Sequence, residues 1–193
     1  MKDLAFWGVY FVIAVLWTAA NLWLYHRRTQ PGRDLGLSGS LSIWAWDGYM
    51  VCGLAAGAVY RPFGFQLPVG WRILGLITAL AGLILALWGM LEFRSLARIS
   101  ALKENRLITT GIYGHVRHPQ HAGLLAAAFG SAVACQTWIG LLVAIVILLW
   151  SLVQTHLEDR RLIILFGDEA RRYIAAVPRY VPRWATYQHD MER

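Results

Sequence analysis

The stretch Ala122–Thr155, AGLLAAAFGSAVACQTWIGLLVAIVILLWSLVQT, runs for 34 residues (122 to 155) without a formally charged side chain. As a single helix rising 1.5 Å per residue it would be about 51 Å long, well beyond a hydrocarbon layer of about 30 Å. The pattern therefore predicts a helical hairpin. Its turn falls at Ala134–Trp138, where Gln136 and Thr137 are the polar pair, and leaves two rather short arms of about 15 to 18 residues each.

Working outward, Leu4–Leu24 has no charge over its whole length, Leu41–Tyr60 has only Asp47, and Trp71–Leu91 has only Arg72 at its edge. With the hairpin these make five predicted spans. The expected architecture is all-α: one polytopic membrane domain over 1–193, with three N-terminal spans in 1–92. Residues 93–193 would form a core made of the hairpin and a short cytoplasmic C-terminal helical segment. Composition agrees, because 58% of residues are hydrophobic and only 15% charged, against roughly 45–50% and 25% in soluble domains. A water-soluble monomer is excluded.

The 18 Lys and Arg against 11 Asp and Glu give a net charge of +7. These cations sit between apolar runs and not on a basic-aromatic face, so no nucleic acid partner is expected. Fifteen of the 18 follow spans one, three and five: Arg27, Arg28 and Arg33; Arg94, Arg98, Lys103, Arg106 and Arg117; and seven C-terminal arginines. Cytoplasmic loops carry the excess of Lys and Arg, which predicts an outside N-terminus and a cytoplasmic C-terminus. Met1–Asp3 is a poor positive leader and the run after it is long, so the first span is expected to be retained. Trp23, Tyr25, Trp44, Trp46, Tyr60, Trp71 and Trp138 fall near span ends, where an interfacial aromatic belt would place them. Cys52 and Cys135 lie inside apolar runs and imply packing, with no disulfide framework.

Clustered polar groups fall in two segments on the expected cytoplasmic side. The first ends TTGIYGHVRHPQHAG at 109–123. Pro119 suits a first helical turn, where its missing N–H is no loss and the free backbone donors could meet an anion. His115, His118 and His121 recur every third residue, with His156 further on. Pro119 interrupts their alignment and no carboxylate or thiolate cluster completes a shell, so no metal site is expected. The second segment, QTHLEDRRLIILFGDEARRY at 154–173, leaves the membrane as an amphipathic helix that Gly167 interrupts. Glu158 and Asp159 stand at the membrane exit, where an unpaired carboxylate is costly, so a cation such as Arg117, Arg160 or Arg161 is an expected partner. Val177–Arg183, VPRYVPR, reads as an extended tail.

Gly111-Ile112-Tyr113, Arg117-His118-Pro119-Gln120-His121-Ala122-Gly123, the apolar hairpin, Glu158, Phe166-Gly167, Tyr173 and Val177-Pro178-Arg179 follow one another in an order that resembles the isoprenylcysteine carboxyl methyltransferase family. Phospholipid N-methyltransferases share a similar core. The resemblance covers about Phe93–Arg183, while the first three spans match only in hydropathy. It implies an integral membrane methyltransferase that holds S-adenosylmethionine at the cytoplasmic ends of the last two spans and opens toward lipid for a lipophilic or lipid-like acceptor. Carried over by position, cofactor contacts would come from Asn105, Arg106, Leu107, Ile108, Tyr113, Arg117, His118, Pro119, Gln120, His121 and Glu158. Glu158 suits the cofactor's α-amino group, while the His-Pro turn and Arg117 suit its carboxylate. His121 replaces the Tyr usual in that turn. Gln154, at the substrate position, replaces the arginine with which eukaryotic members grip a carboxylate acceptor.

A thiol or ammonium acceptor must lose a proton before methylation, and His118, His121 or His156 are candidate acceptors of it. Two other classes fit parts of the pattern: a sterol-reductase-like enzyme using NADPH, and a membrane scaffold or transporter with Asp47 on a pathway.

Overall fold

The computed structural model describes residues 2–28, 36–60, 63–92 and 107–183. Among these it is helical: α1 (Lys2–Arg28), α2 (Gly36–Tyr60), α3 (Val69–Glu92), a 3-10 turn (Gly111–Gly114), α4 (Pro119–Cys135) and α5 (Trp138–Ala176). Helices α1, α3 and α5 are long and apolar enough to cross a membrane. The hairpin forms as its polar pair requires. Helix α4 stops at Cys135, Gln136 takes a left-handed conformation (φ 55°, ψ 49°), and Thr137 precedes α5. A single antiparallel bridge joins Gly64 to Thr137, so the loop before α3 is tied to the same turn.

The arms of the hairpin are unequal. Helix α4 has 17 residues, about 25 Å, as expected. Helix α5 has 39, about 58 Å, because no breaker separates the apolar run from the amphipathic one. It therefore continues well past the hydrocarbon. Gly167 (φ 57°, ψ −126°) breaks its helical geometry, at the position where the sequence predicts an interruption.

Lipid tails are as apolar as leucine, so membrane helices associate through close packing and hydrogen bonds and not through exclusion of water. Helices α3 and α4 use the first device. Gly75, Gly82 and Gly89, one every seven residues, face Gly130, Gly123 and Pro119. A Cβ at Gly82 would lie 2.5 Å from the Ala127 nitrogen and 2.6 Å from the Gly123 oxygen, so the two backbones touch. The opposite side of α3, including Leu76, Leu83 and Leu87, is exposed as a lipid-facing surface would be.

Helices α1, α2 and α5 use the second device as well. Tyr10 and Tyr49 stack at 4.5 Å and exchange hydrogen bonds with each other's backbone carbonyls at 3.2 and 2.9 Å. Trp17 Nε1 donates to Ser42 Oγ, which donates to Asn21 Oδ1. The aromatic-belt expectation fails at Trp46, which is fully buried with its ring centroid 5.1 Å from that of Trp150. Its Nε1 donates to Thr18 Oγ1 at 3.0 Å. The buried hydroxyl supplies the partner that an indole otherwise finds at the interface. Trp23, Trp71 and Trp138 remain exposed, while the side chains of Tyr25, Trp44 and Tyr60 lie outside the described residues.

Candidate functional site

The start of α4 is set by local chain geometry. Gly111 has φ +59°, a left-handed conformation that strains any residue with a Cβ. The 3-10 turn then buries Ile112 and Tyr113 in a small cluster with Val116, against which Ile108 and Leu85 pack. Tyr113 donates its hydroxyl to the Gly89 carbonyl at 3.2 Å, accepts from Gln120 Nε2 at 3.3 Å, and receives the Tyr173 hydroxyl on its own carbonyl at 2.8 Å. His118 precedes α4 as its N-cap residue, and Pro119 occupies the first turn.

The C-terminal tail lies along this corner. The Arg117 and His118 amides donate to the carbonyls of Pro178 and Arg179 at 2.9 and 3.1 Å, and the Arg183 amide donates to the His115 carbonyl at 3.1 Å. Tyr180 then reaches α5, where its hydroxyl is 2.8 Å from Thr155 Oγ1 and 2.9 Å from the Ser151 carbonyl.

Asp159 is the hub. Its Oδ1 is 3.0 Å from His118 Nε2, and its Oδ2 is 3.3 Å from Arg117 and 2.8 Å from Arg179. Burial pushes its carboxyl up, but the hydrogen bond and charge of His118, with Arg117 and Arg179, hold it below the ordinary carboxylate range. The group lies on the part of α5 beyond the apolar run. Burial pulls the Arg117 guanidinium below its usual value, with Asp159 opposing the change. Arg117 also donates to the Ile174 carbonyl.

His118 faces a second carboxylate as well, with Nδ1 3.3 Å from Glu158 Oε2. Only the imidazolium form has two N–H donors to satisfy two acceptors. Burial would depress this imidazole, but its hydrogen bonds to Asp159 and Glu158 outweigh burial and leave its pKa raised. The neighbouring acids thus have different surroundings. The Asp159 side chain is 7% exposed within its network, whereas that of Glu158 is 27% exposed and accepts from Gln154 Nε2 at 3.3 Å. Glu158 is the acid with an open edge. The His121 ring is 3.3 Å from Ser151 Oγ.

The His-Pro corner and Glu158, expected to share one site, are therefore in direct contact. Leu107 and Ile108 are half-buried beside the corner, whereas Asn105 and Arg106 lie outside the described residues. The histidines diverge: His115 meets the Arg183 carbonyl, His118 the two acids, His121 Ser151, and His156 is exposed. The sequence reading did not assign Asp159, Ser151, Tyr173, Arg179 or Tyr180 to the site. The available signal was the tail itself, since an extended VPRYVPR segment beside a buried acid carries the Arg and Tyr that reach it. Arg117 and His118 are engaged by Asp159, so they build the wall from which Glu158 is presented.

Comparison with known proteins follows the same segments. The family described as phospholipid methyltransferase matches residues 71–169, just over half of the chain. A stretch of 94 residues is 31% identical to the protein-S-isoprenylcysteine O-methyltransferase of Schizosaccharomyces pombe. That stretch is 46% of this chain and spans 39% of the length of the yeast protein.

Proposed function

Because the chain belongs to the phospholipid methyltransferase family, we propose that it is an integral membrane methyltransferase that uses S-adenosylmethionine and acts on a small lipophilic or lipid-like acceptor. The observation that carries this reading is the 3.3 Å contact of His118 with Glu158, which closes the two family-like segments around one partly open carboxylate. Family membership favours this reading over the reductase and scaffold alternatives.

The donor set fits the cofactor's charge. S-adenosylmethionine supplies a methyl group on a cationic sulfonium and carries an ammonium as well. Glu158 offers that ammonium an anionic acceptor, oriented by Gln154 and His118. Gln120, His121, Leu107 and Ile108 supply polar and apolar surface around it, and Asn105 and Arg106 are assigned to the cofactor by the family resemblance alone. Tyr113, Arg117, His118 and Pro119 hold the wall in place. Fixing two reactants in line on such a wall contributes effective molarity worth several kcal/mol, up to about 7–11. We place the site at the cytoplasmic face of five spans, with the N-terminus outside, following the cation distribution. The acceptor enters from the lipid, and Gln154 faces it.

The test is equilibrium binding of radiolabelled S-adenosylmethionine to purified protein in detergent. Glu158→Gln is expected to weaken binding at least tenfold while leaving the melting temperature within a few degrees. Wild-type protein without saturable binding, or a variant that binds as well as wild type, would overturn the assignment.

A further inference from the structure

A methyl acceptor that arrives with a hydrogen on its nucleophilic atom needs a base within hydrogen-bond reach. His115, His118, His121 and His156 lie in the two segments that form the site, and their contacts tell them apart. His118 turns both ring nitrogens to carboxylates, Nδ1 at 3.3 Å from Glu158 and Nε2 at 3.0 Å from Asp159. Both nitrogens therefore carry hydrogen, and the ring has no lone pair for another proton. His115 is taken up by the tail, with Nδ1 2.9 Å from the Arg183 carbonyl. His156 is exposed, and at 100° per residue it lies about 160° around α5 from both Gln154 and Glu158.

His121 differs from all three. It is half-buried, and its ring stands edge to face with that of His118, the centroids 6.1 Å apart. Its Nδ1 is 3.3 Å from Ser151 Oγ. Ser151 is fully buried on α5 and precedes Glu158 by two helical turns, so the two share one face of the helix, with Ser151 about 10 Å further into the apolar run. Gln154 lies between them on that face. The serine is itself held in place, because its carbonyl receives the hydroxyls of Thr155 and Tyr180 at 2.7 and 2.9 Å. With its hydrogen on Nδ1, the His121 ring donates to the serine oxygen and keeps a lone pair on Nε2. A cofactor whose ammonium meets Glu158 reaches toward this level through a short aliphatic chain.

We propose that His121 is the proton acceptor of the site and that Ser151 is the positioning residue that fixes its tautomer. This inference rests on the methyltransferase reading and suits the site to acceptors that enter with a hydrogen on the atom to be methylated. In the step assigned to His121, the bond from that atom to hydrogen breaks, its electron pair stays on the atom, and an N–H bond forms at Nε2 to give an imidazolium. Nothing is oxidised or reduced. A base that is neutral near pH 7 and oriented by a second side chain has the strength and the direction such a transfer requires.

The experiment reads proton transfer directly, without turnover. The probe is 4-nitrophenol, an acid close in strength to imidazole whose anion alone is yellow. Its ionisation while bound to purified protein is titrated by absorbance in a neutral detergent without cofactor, and the affinity of wild type for S-adenosylmethionine is measured in parallel. The acid dissociation constant of the bound probe is expected to be at least tenfold higher in wild type than in His121→Tyr, which keeps a ring and a hydroxyl but no basic nitrogen, and than in His121→Gln. Ser151→Ala should fall between them, and a value equal to wild type overturns the positioning role of Ser151. Equal constants in wild type and the His121 variants, or no saturable probe binding by wild type, overturn the role of His121, while cofactor binding keeps the methyltransferase reading intact. Wild type that binds no cofactor overturns that reading and this inference with it.

Discussion

The Nε2 atom of His118 lies 3.0 Å from Oδ1 of Asp159, a residue 41 positions later in the chain. The contact joins the start of α4 to α5 beyond its apolar run, and Arg117 and Arg179 converge on the same acid. Breaking a buried ion pair from one side commonly costs about 3–5 kcal/mol, because the remaining charge is left uncompensated. The network therefore acts mainly as a geometric lock: it holds the tail, the corner and the helix in one register and leaves the Glu158 side chain more exposed than that of Asp159.

Protonation gives this lock a pH window. The folded pKa of His118 is raised above its ordinary 6.5, so its stabilisation is fully present below 6.5 and is lost as pH rises through the higher folded value. The folded pKa of Asp159 is lowered from 3.8, so its contribution is present above 3.8 and is lost as pH falls through the lower value. Melting temperatures in detergent are expected to decline on both sides of this window. His118→Gln should lower the maximum and flatten the alkaline limb, and an alkaline limb unchanged in the variant would exclude His118 as its source.

The seam between α3 and α4 makes a steric prediction. Gly82→Val would force side-chain atoms into the backbone of Ala127 and Gly123. Overpacking of this kind costs about 1–3 kcal/mol, and more where the backbone itself must move. Gly70→Ala, on the same helix with nothing within 4 Å of the added carbon, should stay within about 0.5 kcal/mol of wild type. Thermal unfolding of both variants in one detergent checks the contrast.

Tyr180 anchors the tail to α5 through one hydroxyl shared by Thr155 and Ser151. Tyr180→Phe keeps the ring and removes the hydrogen bonds, at an expected cost of about 1 kcal/mol. Limited proteolysis should then cut within residues 177–183 several-fold faster than in wild type. An equal cleavage rate would show that the backbone bonds to residues 115–118 hold the tail alone.

Much of the fold was legible because membrane segments obey one-dimensional rules. The 34-residue charge-free run had to fold back, and Gln136-Thr137 was the polar pair near its middle; the turn formed there. Gly167 marked the break in α5, and Pro119 the start of α4. Trp46 misled because a tryptophan near a span end reads the same whether it meets headgroups or a buried threonine on another helix. The site divided likewise. Its two segments and Glu158 could be picked out, but the distinct roles of Glu158 and Asp159 could not, since adjacent acids look equivalent until a helix face is assigned.

The sequence by itself determined the helical class, the hairpin turn, the start of α4 and the kink, since each depends on local hydropathy, chain length, proline or glycine. Only the tertiary structure decided that Asp159 receives both arginines while Glu158 keeps an open edge, and that α3 and α4 meet backbone to backbone. Those outcomes depend on side-chain direction around each helix and on distances between segments tens of residues apart, which no local rule encodes.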